Sequence, residues 1–397
     1  MLRSWVRISF LFLLSVAVIG TLLRAFPYLR LNWNYTHLLH AHSHIGFQGW
    51  IYTMILLLIP ALYLNPFQVK KSRYSLQFRI TIPLIILIMI AFVIQGYALY
   101  SILFSTLFQF LNYRFFWSFI RDSNRYYSQS PPYSLRWIKA GMWLGLLSTF
   151  APYAIGIISA KGLSGSELYH SVIYGFLHFQ YNGWFLFTAI GLFFRVLELN
   201  NVSFNIKYAL IFYWLNVVAV IPAYALSLLG MSFKELIYPF AVFAGLTEII
   251  GLYYLIMSFK STSIKSLLNN QLSYLLIVML VCYFIKILAQ GLSLIPNLQI
   301  YASSNRFIII AFIHLSLIGV ISFLFLYILL RLEWMISSIV TQVGTSCLLV
   351  GFVLTESILL LVGFGFGFYP KTLMVFSGLM GLGVLLLTMS SFKEERF

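Results

Sequence analysis

With 397 residues, 61% of them hydrophobic and only 9% charged, and a mean hydropathy of +0.94, the chain cannot be a water-soluble domain built around one apolar core. Its formal charge of +16 does not mark a nucleic-acid binder, because the basic residues lie between apolar runs and not in one patch. The two cysteines, Cys282 and Cys347, stand far apart and outside any CxxC or CxxCH spacing, which excludes disulfide, zinc-ribbon and c-type haem attachment readings.

A helix needs roughly twenty apolar residues to cross ~30 Å of hydrocarbon at ~1.5 Å per residue. Such runs recur near 8–26, 40–64, 80–100, 101–119, 137–160, 171–194, 207–230, 236–259, 271–293, 306–330, 333–362 and 370–391. Strand-type alternation is scarce. The expected fold is therefore all-α, a polytopic membrane helix bundle of about twelve transmembrane helices. Arg3 and Arg7 precede the first run and no small-residue cleavage site follows it, so that run is expected to be a span and not a signal peptide. The third and fourth runs are nearly continuous, and the turn between them is the boundary the sequence marks least clearly.

Lysine and arginine test the count. With both termini on one side, that side holds Arg3, Arg7, Lys70, Lys71, Arg73, Arg79, Arg114, Arg121, Arg125, Arg136, Lys139, Arg195, Lys207, Lys260, Lys265, Arg331, Lys393 and Arg396, eighteen in all. The other side holds Arg24, Arg30, Lys161, Lys234, Arg306 and Lys371, six in all, and Lys286 is intramembrane. That bias favours an even number of spans with cytoplasmic termini. The longest polar stretch, Arg121 to Arg136 with Pro131 and Pro132, is too short for a soluble domain, so residues 1–397 are expected to form a single transmembrane domain. The two halves have no obvious residue-level repeat.

All seven histidines lie on even-numbered helices: His37, His40, His42 and His44 at the second, His170 and His178 at the sixth, His314 in the tenth. At ~1.5 Å per residue, His44, His178 and His314 lie within roughly 6 Å of one another in depth, in the outer third of the membrane. Imidazoles at that depth need partners, and a metal or a bis-histidine haem held between facing helices would supply one. Gly46 and Gly49 flank His44, Gly175 and Gly183 flank His178, and Gly319 follows His314, so a flat ring has room to approach. His37, His40 and His170 are expected at the wet interface.

Twelve helices with outer-side histidines on the second, sixth and tenth resemble the haem–copper oxidase subunit I superfamily. HAHSHIGFQGW (40–50) is similar to its second-helix motif, whose histidine is an axial ligand of low-spin haem. HFQYNGWFLFTA (178–189) resembles the sixth-helix motif of cbb-type oxidases, whose histidine binds the active-site copper, and FIHLSLIG (312–319) resembles the tenth helix, a source of axial haem ligands. The resemblance covers the layout of the whole chain but only these stretches in residues.

What the resemblance implies is a b-type haem held by His44 and His314, with copper or another metal at His178. It also implies electron transfer or handling of oxygen or nitric oxide, oxidoreductase chemistry if the chain is an enzyme, a quinone or redox protein as partner beside the lipid bilayer, and residence in a bacterial inner membrane. HAH at residues 40–42 matches the NnrS-like branch as well, and in that register His42 replaces His44 as ligand. The departures bear on activity. The seventh run has no histidine, Phe312 stands where the oxidases have an earlier tenth-helix histidine, and Asn182 stands four residues after His178. Full oxygen-reducing, proton-pumping chemistry is therefore not expected. The remaining classes are a transporter, in which the intramembrane Glu248, Lys286 and Glu356 mark a path, and a non-catalytic membrane scaffold subunit.

Overall fold

The computed structural model describes residues 2–29, 32–259 and 273–392, and among them there are helices and no strands. Arg30, Lys260, Lys265, Lys393 and Arg396, which enter the charge count, lie outside the described residues. Each of the twelve apolar runs falls on a helix. Among the described residues ten helices are long and apolar enough to cross a membrane, and an eleventh span results if the bent pair Ile206–Val220 and Pro222–Leu228 is counted as one. The remaining helix, Leu99–Tyr126, has 28 residues but carries Gln109, Asn112 and Arg114 in its middle. The chain is a multi-pass α-helical membrane protein whose solvent is the lipid bilayer.

One glycine settles a boundary. The turn between the third and fourth runs is made by Gly96, whose φ of 62° ends the helix Tyr74–Gln95 and lets Leu99 start the next. The ring of His37 lies over that glycine, so that a Cβ there would stand 2.6 Å from His37 Cδ2.

The chain forms two compact units. The first, Met1–Ser130 with Ile328–Phe397, contains Leu2–Tyr28, Tyr35–Tyr63, Tyr74–Gln95, Leu99–Tyr126, Ile339–Gly363 and Pro370–Ser391. Its tightest pairing is Ile339–Gly363 against Pro370–Ser391. There a Cβ on Gly383 would come within 2.5 Å of the Leu348 amide nitrogen, so backbone approaches backbone as membrane helices do where residues are small. The second unit, Pro131–Tyr327, contains Tyr133–Ala160, Glu167–Leu199, the bent pair, Lys234–Ser258, Ser273–Leu292 and most of Arg306–Arg331.

The helices bearing His44, His178 and His314 start alike. Asn34 accepts from Thr36 N and His37 N, Ser166 from Tyr169 N, and Asn305 from Phe307 N and Ile308 N. These caps satisfy amides that lipid could not, and each fixes the end from which its histidine is counted. Each histidine then follows its cap by about ten residues, or ~15 Å at ~1.5 Å per residue.

Candidate functional site

At each of the three histidines the helix changes winding. Helical hydrogen bonding widens to the π pattern over Ile45–Ile51, directly after His44, over His178–Phe185, and over Leu315–Ser322, directly after His314. Long π segments are rare, and they concentrate where a side chain must be re-aimed for function. All three carry a glycine five residues after the histidine: Gly49, Gly183 and Gly319. In the first two the glycine is preceded by an amide side chain and followed by tryptophan, Gln48-Gly49-Trp50 and Asn182-Gly183-Trp184. Comparing halves misses this repeat because its spacing is about a third of the chain. It is visible only as the short pattern H-x3-(N/Q)-G-W, and its third copy has lost both the amide and the tryptophan.

The glycines are needed for packing. A Cβ on Gly49 would meet Ile45 Cγ2 at 2.9 Å and Phe12 Cβ at 3.0 Å, and one on Gly183 would meet Leu144 Cβ at 2.9 Å. The amides reach back to their histidines, since about 4.4 residues per π turn stack position i+4 over i. Asn182 Nδ2 lies 3.3 Å from His178 Nδ1, and Gln48 interacts with the His44 ring.

In the first unit, His42 and His44 face different neighbours. His42 Nδ1 is 3.0 Å from the Val16 carbonyl, with its ring over Gly20. A backbone carbonyl on one ring nitrogen is the contact that commonly fixes the tautomer of a ligating imidazole. His44 stacks on Phe92 at 4.0 Å between centroids and its Nε2 lies 2.8 Å from the Tyr97 hydroxyl. His40 packs edge-on against the same tyrosine at 4.5 Å. Tyr97 is 60% exposed, so the group that occupies His44 Nε2 can swing away without opening the core. A Cβ added at Gly46 would meet only Val16 Cγ1, at 4.0 Å.

In the second unit His178 is 1% exposed and both its ring nitrogens are engaged, Nε2 with the Val220 carbonyl at 2.7 Å and Nδ1 with Asn182. The Val220 carbonyl is available because the helix breaks beside it by 50°. Pro222 starts a 3₁₀ segment, and the Tyr224 amide, which would have reached Val220 in an α-helix, bonds to Ile221 O at 3.2 Å instead. His314 heads its π segment in the same unit, and that segment packs against the one led by His178. Phe312 is covered on one side by Lys286, whose Nζ lies 5.6 Å from the ring centroid, and is met edge-on by Tyr181 at 6.5 Å. Lys286 is 1% exposed and donates to Gln290 Oε1 at 2.5 Å. Glu248 is close enough to interact with the Lys286 charge, while its buried Oε2 has no hydrogen-bond partner. Glu356, in the first unit, is 9% exposed. All three intramembrane ionisable groups therefore keep their charged ends out of the hydrocarbon, as their cost in lipid requires.

Of the residues marked from sequence, His42 and His44 thus belong to one unit and His178 and His314 to the other. Among the described residues no three His, Cys, Asp or Glu side chains converge as an ion-binding group. By donor chemistry His44 and His42 fit a haem iron, each with a hydrogen bond described at a single ring nitrogen. His178, with both nitrogens bonded inside the protein, fits only after giving up one of those bonds. Fold and site together define a multi-pass membrane protein with histidine-headed π turns. Comparison with protein-family models and with curated proteins finds no match to this chain.

Proposed function

We propose that this chain is a haem-binding membrane protein with the layout of haem–copper oxidase subunit I, twelve spans and cytoplasmic termini, in which His44 of the first unit and His314 of the second are haem ligands. The observation that carries the reading is the repeated histidine at the head of a π segment, with glycine at a fixed spacing, on three helices. A bound b-type haem would supply a one-electron centre near one membrane face. The chain's own residues do the rest. Gln48 orients the His44 ring and Phe92 backs it, and Tyr97 holds its Nε2 until a ligand displaces the hydroxyl. His42 is the ligand in the NnrS-like register, and His178 is the residue at which copper or another metal would sit. Electron transfer with a quinone or redox protein, or handling of oxygen or nitric oxide, follows as the class of activity.

The test is an absorption spectrum with a pyridine haemochrome assay on protein purified after haem-replete expression. A Soret band lost in His44→Ala and in His314→Ala supports the reading. A Soret band that survives both substitutions and disappears in His42→Ala moves the ligand to His42, and a protein without any Soret band sinks the proposal.

A second reading, transport, is favoured by the 50° break at Pro222 beside the buried Lys286, Gln290 and Glu248, since broken helices with intramembrane charge mark substrate paths.

A further inference from the structure

His37 and His40 take no part in the haem reading, and their surroundings differ from those of the other histidines. They stand in the first two turns of the helix that Asn34 caps, within ~8 Å of the start of the span Tyr35–Tyr63 at ~1.5 Å per residue, and so close to the membrane surface. Both side chains are partly buried. His42, His44 and His178 each have a ring nitrogen hydrogen-bonded to a carbonyl or a hydroxyl. No hydrogen bond between described residues reaches a ring nitrogen of His37 or His40, where a polar ring at the edge of lipid needs a partner.

The two rings share one corner. His37 lies over Gly96, its Nε2 2.8 Å from where a Cβ would stand, and His40 meets the next residue, Tyr97, edge-on at 4.5 Å between centroids. Any side chain at position 96 would drive His37 out of this corner. The rings are near enough for their charges to act on each other. One helical turn separates them, and positions i and i+3 stand about 5–6 Å apart at Cβ. Two imidazoles at that spacing can close on one ion at ~2.0–2.1 Å, the usual length of a bond from nitrogen to zinc, much as paired histidines on one helix face do in H-E-x-x-H sites. His44 is too far along to join them, seven residues and ~10 Å of rise beyond His37, and Tyr97 holds its Nε2. The pair is thus a two-ligand site, in keeping with the lack of any three converging donors among the described residues. Tyr97 is 60% exposed, so the corner is open for an ion to enter and for water to complete its coordination.

We propose that His37 and His40 form a binding site for a divalent transition-metal ion at the membrane surface of the first unit. Imidazole nitrogen selects Cu²⁺ and Zn²⁺ over Mg²⁺ and Ca²⁺, which take oxygen, and Cu²⁺ binds such nitrogens more tightly than Zn²⁺ does. The neutral rings displace water from the ion, so no proton or electron moves. The site stands apart from the haem reading, since neither residue is a ligand in it.

The experiment is equilibrium dialysis of the full chain in detergent, with any purification tag removed, against Cu²⁺ and separately against Mg²⁺. Cu²⁺ is expected to bind and Mg²⁺ not, and the electron paramagnetic resonance spectrum of the bound Cu²⁺ is expected to show coupling to two nitrogens. His37→Gln and His40→Gln are each expected to weaken Cu²⁺ binding about tenfold or more and to remove one nitrogen from the spectrum. His170→Gln, exposed in the second unit, is expected to change neither reading. Cu²⁺ binding that keeps its full affinity in both pair variants overturns the proposal. So does an equal loss in His170→Gln, the mark of an adventitious ion only, and so does a wild-type chain that binds no Cu²⁺. The Soret band of the same samples is expected to be the same in wild type and in both pair variants, so this proposal and the haem reading stand or fall separately.

Discussion

His178 donates its Nε2 hydrogen to the backbone carbonyl of Val220 at 2.7 Å, a carbonyl left open by the helix break that Pro222 imposes. The bond pins a broken helix to the π segment of its neighbour, and it works together with two others on the same side of the helix. Tyr224 OH donates to Ser171 O at 2.6 Å, and Ser232 N donates to Glu167 Oε1 at 2.9 Å. Glu167, Ser171 and His178 recur at helical spacing, so one face of that helix holds the whole bent segment.

Replacing His178 with phenylalanine leaves the Val220 carbonyl and the Asn182 amide without partners. A loss of about 1–3 kcal/mol per orphaned group is expected, read as a lower melting temperature in detergent. Adding Pro222→Ala should recover part of that loss, because a residue with an N–H permits the segment to close its own helical bonds. If the double variant is no more stable than His178→Phe, the break is not what opens that carbonyl.

Gly49→Ala and Gly183→Ala place a methyl group 2.9 Å from Ile45 Cγ2 and Leu144 Cβ respectively. Overpacking of this kind costs about 1–3 kcal/mol. Gly378→Ala, where nothing lies within 4 Å, is the matched control and should gain slightly from its better helix propensity. Thermal denaturation of the three variants side by side checks the order.

Tyr97→Phe removes the hydroxyl that holds His44 Nε2. If His44 is a ligand, the competing bond of about 1 kcal/mol disappears and haem affinity, read as Kd in a titration, should tighten about fivefold. Unchanged or lower affinity would argue that Tyr97 serves the bound state instead.

Lys286→Met removes the ammonium over Phe312 and the bond to Gln290. Breaking a buried charged set on one side costs about 3–5 kcal/mol, whereas neutralising both sides is far cheaper. The double variant Lys286→Met with Glu248→Gln is therefore expected to be more stable than Lys286→Met alone. Additive losses, measured by the same melts, would show that the two charges do not act together.

The bilayer made much of this protein readable in one dimension. A run such as 370–391 needs only enough apolar residues in a row to cross, whatever its neighbours, so each of the twelve runs fell on a helix and Glu248, Lys286 and Glu356 were recognisable as groups that must turn inward. The similar distance of each histidine from the start of its own helix was legible for the same reason, because it is a count of residues. What tertiary structure alone decided is who meets whom and how the helix is wound there. Winding at His44, His178 and His314 depends on backbone hydrogen bonds that shift by one residue, which hydropathy does not register. The partner of His178 is a backbone carbonyl, and every residue has one. Only the break at Pro222 and the packing of two helices single out Val220.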